Sequence, residues 1–127
     1  RMAVAKALGV KTRSFLDNFF EAGLTTKEAR DSNDISRACY ESIPNRTIKS
    51  PPSLDDRYIH EDVGYGLVPM SELGRMVQVS TPTIDAIIRL VSDATDIPYY
   101  RDGLTLEKMG INNLDKDSLQ RYITQGS

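Results

Sequence analysis

The chain has 127 residues, 16 of them Lys or Arg and 18 Asp or Glu, for a formal net charge of -2. That length supports one domain with a modest core, and without a basic block the chain lacks the electrostatic footprint of a nucleic-acid binder. No apolar run approaches the roughly 18 residues that a membrane span needs, no signal peptide opens the chain, and the single cysteine, Cys39, has no partner for an internal disulfide; the expectation is a cytoplasmic protein.

Arg1 to Val10 begins inside a helical pattern without a capping residue, and Gly9 ends it. The chain therefore reads as a piece of a longer protein. Ser14 caps an amphipathic helix that places Phe15, Leu16, Phe19 and Phe20 on one face. Thr25 or Thr26 caps a second helix, expected to run through Cys39 and Tyr40 and to stop before Pro44. Residues 45–52 are polar and end in two prolines, a connecting loop. A helix is expected over 70–79 with Ser71 at its start. The plainest helix follows: Thr81 caps it, Pro82 takes its first position, and Ile84, Ile87, Ile88 and Val91 recur at i, i+3, i+4 and i+7 as one buried face. Asp85, Arg89 and Asp93 fall on its other faces. Pro98, Tyr99 and Tyr100 break the pattern, Asp102-Gly103 is a turn, and Thr105 caps a short turn with Leu106 and Met109. Residues 118–123 form a weak terminal helix. No period-2 strand, internal repeat or low-complexity segment occurs, so the fold class is all-α.

Chemistry concentrates between Arg57 and Pro69. Arg57, His60, Glu61 and Asp62 lie within six positions, threaded with Tyr58, Ile59, Val63, Tyr65, Leu67 and Val68. One reading is a surface salt-bridge cluster followed by a turn. The other is a set of charged groups held against an apolar wall that controls their ionisation. Arg57 is a permanent cation able to grip a phosphate or carboxylate with two parallel hydrogen bonds. Asp62 has the chemistry to orient a protonated histidine. The alternative for this pair is mutual neutralisation, or pairing with Asp56 and Glu61.

His60 is the lone histidine, and beside Glu61 it invites a general-base role. No serine or cysteine context completes a triad, so it reads better as a polar residue at the mouth of a cleft. One histidine and scattered carboxylates are too few for a metal site. Cys39 reads as a small core residue. Tyr99 and Tyr100 cap the helical core more readily than they stack on a ligand. Gly64 and Gly66 serve backbone bending, and no glycine-rich phosphate cradle is present.

Three segments together resemble the C-terminal helical domain of the opine dehydrogenase family, which includes octopine and nopaline dehydrogenases. They are Arg57-Tyr58-Ile59-His60-Glu61-Asp62-Val63-Gly64-Tyr65-Gly66-Leu67-Val68, then Thr81-Pro82-Thr83-Ile84-Asp85-Ala86-Ile87-Ile88, then Leu106-Glu107-Lys108-Met109-Gly110. Arg1 to Gly9 is similar to the end of an upstream helix of that family. The resemblance implies a single helical substrate domain over 1–127, similar to the C-terminal helical domain of 6-phosphogluconate dehydrogenase. The Rossmann domain that precedes it in the family, and the start of the helical domain, lie outside this chain.

Such enzymes couple an amino acid to a 2-keto acid through an imine with NADH or NADPH, in a site between the two domains. By resemblance, Arg57 faces the cleft as an anion clamp for substrate or cofactor. Asp62 is the catalytic carboxylate, pairing with a histidine that lies upstream of Arg1; His60 does not replace that histidine. His60, Glu61 and Tyr65 fall on the cleft rim. Many members have proline where Gly64 stands. The implied partners are a 2-keto acid, an amino acid and the chain's own Rossmann domain; a homodimer is compatible, and nucleic acid, membrane and metal are not expected. NAD or NADP belongs to the intact protein, and this segment alone is expected to bind neither. Two rival readings stand beside this one: a non-catalytic helical module for dimerisation, and the helical domain of a ketopantoate-reductase-type or 2-hydroxy-acid dehydrogenase.

Overall fold

A computed structural model describes residues 1–126, and among them every regular element is helical, with no strand. The chain forms two compact units. One comprises residues 2 and 11–50; the other comprises residues 1, 3–10 and 51 onward.

In the unit formed by residues 2 and 11–50, helix α2 spans Phe15–Glu21 and opens with the Ser14 side chain accepting the Asp17 amide at 3.0 Å. Leu16 is its buried residue, and Phe15 stacks on Phe19 with ring centroids 4.9 Å apart. The single helix expected after Thr26 is two. Helix α3, Lys27–Asp31, starts with Thr26 accepting the Ala29 amide; helix α4, Ile35–Tyr40, starts with Asp34 accepting the Arg37 amide. Asn33 turns the chain between them at φ 53°. The Asn33-Asp34 pair is a stop followed by a start signal, and it divides the segment into two helices. Leu16, Ala29 and Ala38 form this unit's core, with Phe19 against it. Cys39, expected in a core, is exposed; its neighbour Ala38 takes the buried position.

Helix α1 spans Met2–Ala7; from residue 3 onward it belongs to the other unit, where Val4 is buried. Residues 57–76 form one uninterrupted helical run: α5 (Arg57–His60), a π-helix (Glu61–Leu67) and α6 (Val68–Met76). Helix α7 is Pro82–Thr95, α8 is Tyr99–Asp102 and α9 is Lys116–Gln125. Asp115 caps α9, which extends beyond the expected 118–123. The core is Val63, Val68, Ile88 and Tyr99, flanked by Ile59, Leu67, Ile84, Val91, Ile97 and Tyr100. Ile88 is fully buried, whereas Ile87, expected beside it, is 41% exposed and Leu90 is 70% exposed. Helix α7 packs through a narrower stripe than its four isoleucine and valine positions suggested.

The π-helix has a cause in the sequence. Pro69 has no N–H, and inside an ordinary helix its ring would press on the carbonyl four residues back. Widening to i+5 spacing removes the clash, and the Val68 amide donates to the carbonyl of Val63. The next carbonyl, Gly64, then lacks the donor that residue 69 would have supplied. Leu104 supplies it instead, its amide reaching the Gly64 oxygen at 2.8 Å. That approach requires Gly103, because a Cβ there would lie 2.6 Å from the Gly64 oxygen and 2.7 Å from the Tyr99 oxygen. The helix expected over 70–79 accordingly begins earlier, and Ser71 sits buried inside it.

Two substitutions test this packing by urea denaturation. Ile88→Ala is expected to lower stability by about 2–5 kcal/mol, as for a fully buried side chain, and Ile87→Ala by much less. Gly103→Ala is expected to shift the midpoint down strongly, and Gly66→Ala only slightly, since a Cβ at residue 66 meets nothing closer than 4.0 Å.

Candidate active site

Asp56 opens the charged segment by accepting the Tyr58 amide at 2.9 Å, which fixes where α5 begins. Arg57 follows, exposed, with its guanidinium 5.1 Å from the centroid of the Tyr58 ring. Glu61 and Asp62 form the first turn of the π-helix and are exposed; Val63 and Gly64 behind them are buried. Among the described residues neither Arg57 nor Asp62 enters an ion pair, with each other or with Asp56 or Glu61. Tyr65 is 63% exposed farther along the π-helix. Single-turn π segments recur at functional sites, where they displace side chains from the ordinary helical register.

His60 ends α5. Its Nδ1 lies 2.5 Å from the Tyr99 hydroxyl and its Nε2 lies 3.0 Å from an Asp55 carboxylate oxygen. Tyr99 is buried, and Asp55 is 97% exposed. Both ring nitrogens are therefore engaged, and His60 is braced rather than open.

A second carboxylate constellation went unread in the sequence. Asp85, in the first turn of α7, receives hydrogen bonds from Ser71 of α6 and Tyr100 of α8, both at 2.5 Å, and from Thr81 at 3.2 Å. Arg75 lies 3.4 Å away, its guanidinium 4.9 Å from the centroid of the Tyr100 ring. The Ser71 and Tyr100 hydrogen bonds hold the Asp85 carboxyl below its ordinary value of 3.8, with Thr81 and the Arg75 charge acting in the same direction. A carboxylate so satisfied stays ionised and is a poor proton acceptor. Asp85 clamps three helices. The spacing of Ser71 and Tyr100 from Asp85 carries no periodic signal, so only the folded chain brings them together.

A broad cleft of about 1230 Å³ opens beside α6 and α8, lined by Glu72, Arg75, Tyr100, Arg101 and Lys108 among others. Its cations are committed. Lys108 Nζ donates to the carbonyls of Asp102 and Gly103 at 2.8 and 3.0 Å, and Arg101 pairs with Asp102 at 2.7 Å. None of Arg57, His60 or Asp62 lines it.

Among the described residues no long helix start suits a dinucleotide phosphate. Helix α7 has Pro82 at its first position and Asp85 in its first turn, α9 opens with Asp115 and Asp117, and α6 continues directly from the π-helix. Among the described residues no cluster of three or more His, Cys, Asp or Glu side chains is arranged to hold a metal ion, and no helix is long and apolar enough to cross a membrane.

Comparison with known proteins agrees with this segment's pattern. Residues 1–95 match the family described as NAD/NADP octopine/nopaline dehydrogenase, alpha-helical domain. The chain is also 38% identical over 118 residues to an opine dehydrogenase of Arthrobacter sp. (strain 1C), an alignment covering 90% of this chain and 30% of that protein. The chain belongs to the octopine/nopaline dehydrogenase family, through its α-helical domain.

The Asp85 clamp has a pH signature. Its folded-state pKa is lowered, so its stabilising contribution is present above the unfolded-state value and is lost as pH falls through the folded one. Asp85→Asn is expected to cost about 1–3 kcal/mol near neutral pH, the penalty for disrupting a charged hydrogen-bond acceptor. Thermal melts of both proteins from neutral pH to below about 3 are expected to converge on acidification.

Proposed function

We propose that this chain is the substrate domain of a longer opine-dehydrogenase-type oxidoreductase, one that reductively couples an amino acid to a 2-keto acid. The chain spans 30% of the length of the curated relative it matches. In this reading a Rossmann domain elsewhere in the longer, cytoplasmic protein binds NAD or NADP, the cofactors that the family's description names. The observation that carries the reading is the unpaired state of Arg57 and Asp62, two ionised groups five positions apart on a helical run that is anchored to the core by Val63 and Gly64. Exposed unpaired charges cost little in water. They become strong once a closing domain excludes solvent around a charged ligand.

Arg57 is assigned to an anion. Both condensation partners carry a carboxylate, and a planar guanidinium binds one bidentately. Asp62 is assigned to a histidine contributed by the rest of the protein: it orients that imidazole and stabilises its protonated form. Holding the amine and the keto carbonyl in register favours imine formation, and the protonated histidine assists by donating to the developing oxygen or nitrogen. His60, Glu61 and Tyr65 lie at the rim.

A second reading has one observation in its favour. Ile87 and Leu90 expose apolar surface on α7, 41% and 70% respectively, as a docking face for another chain would. The match to the octopine/nopaline dehydrogenase family favours the coupling enzyme over a purely structural module.

Steady-state kinetics of the full-length protein test the roles. Asp62→Asn is expected to lower kcat by about 10²–10⁴-fold, as loss of an orienting carboxylate does in a triad. Arg57→Lys keeps the charge and loses the fork, so it should raise the KM of the anion that Arg57 holds. Measuring KM separately for the keto acid and the cofactor identifies that anion. Unchanged constants in both variants would remove this pair from the site.

A further inference from the structure

We infer that His60 and Tyr99 are positioning residues for Arg57 and Asp62. This inference rests on the functional reading above. Tyr99 is 4% exposed, in the core with Val63 and Val68. Its hydroxyl meets His60 Nδ1 at 2.5 Å, at the junction of α5 and the π-helix. Its ring edge lies 3.3 Å from where a Cβ of Gly64 would stand, in the middle of the π-helix. The next contact along the run is the Leu104 amide on the Gly64 carbonyl. The α8 segment thus grips the helical run at residue 60 and again at residue 64. Between the two grips lie Glu61, Asp62 and Val63, and Arg57 is one turn before the first.

The proton arrangement follows from the partners. A neutral His60 that donates from Nε2 to Asp55 accepts at Nδ1 from the Tyr99 hydroxyl. That assignment gives the buried hydroxyl the one partner it has among the described residues. It also makes Tyr99 the dominant anchor, since Asp55 is almost wholly in water. A π segment has poorer hydrogen-bond geometry than an α-helix and needs tertiary support to hold one conformation. Reacting groups must be held closely, because misplacement by about 1 Å can cost on the order of 10²-fold in rate. His60 therefore matters here without touching substrate, and its role goes beyond the rim position that the family resemblance implies.

The test uses the full-length protein with His60→Ala, His60→Asn, Tyr99→Phe, Asp62→Asn and the His60→Ala/Asp62→Asn double variant. Amide hydrogen exchange by mass spectrometry is read over residues 57–67, and kcat and KM are read alongside. Expected are faster exchange confined to that run in His60→Ala and Tyr99→Phe, and similar falls in kcat of about 10- to 100-fold in both. Asn offers an oxygen where His60 offers Nδ1, so His60→Asn should recover most of both effects. Because His60 acts partly through Asp62, the loss in the double variant should be smaller than the product of the two single losses. Unchanged exchange in Tyr99→Phe, which removes a single oxygen, would overturn the inference, as would multiplicative losses in the double variant. If the wild-type protein turned over no amino acid and keto acid pair, the functional reading would fall. The exchange data would still decide, separately, whether His60 and Tyr99 fix the run.

Discussion

A proline without an N–H sets the architecture of the charged segment. Pro69 leaves the Gly64 carbonyl without its helical donor, and the Leu104 amide takes that place at 2.8 Å. A buried carbonyl left unmade costs more than a formed hydrogen bond returns, so this pairing is close to obligatory. Much follows from it. The chain after α8 must cross the π-helix at backbone distance, which only Gly103 permits. Tyr99 is carried into the core beneath Gly64, and its hydroxyl meets His60. The helical run from Arg57 to Met76 is thereby held along its length, and its first turns project charged side chains from a supported backbone.

The ionic groups of this unit include two contrasting arrangements. Asp85 gathers three hydroxyl donors and sits near a guanidinium, so its charge is spent on joining α6, α7 and α8. Arg57 and Asp62 have no such partners among the described residues. Exposed charges gain little stability from pairing, so Arg57 and Asp62 stay free for a ligand at small cost to the fold. Leaving a permanent cation and a carboxylate unpaired beside a braced π-helix is a common compromise where binding or catalysis needs them. This contrast, with the family membership, gives the coupling reaction its support.

Most helices were legible because their signals are local. Ser14 and Thr26 cap where side-chain chemistry says they should, and Thr81-Pro82 marks the start of α7; the cap at Asp56 and the helical run after it were not read. The break at Asn33-Asp34 was written in the same vocabulary, but only the cap at Thr25 or Thr26 and the stop before Pro44 were used. Ile87 was misplaced because a period of 3.6 leaves a helix face wider than its packing partner, and only the partner decides which edge is buried. The π-helix was present in the spacing of Gly64 and Pro69, five apart, yet a proline after glycines reads more readily as a turn. The Asp85 clamp and the His60–Tyr99 contact join residues 14 to 39 positions apart. Pairings at that range depend on tertiary arrangement and leave no local pattern. Arg57 and Asp62 stood out through composition and family resemblance, not through periodicity.

We propose that this domain serves a condensation between two carboxylate-bearing substrates. The most direct measurement is oxidation of reduced nicotinamide cofactor by the full-length protein across a panel of 2-keto acids, each with and without an amino acid. The account predicts that oxidation depends on both partners together and yields a secondary-amine dicarboxylate detectable by mass spectrometry. Full activity with a keto acid alone, giving a 2-hydroxy acid, would contradict it and assign the domain to a simple 2-hydroxy-acid dehydrogenase.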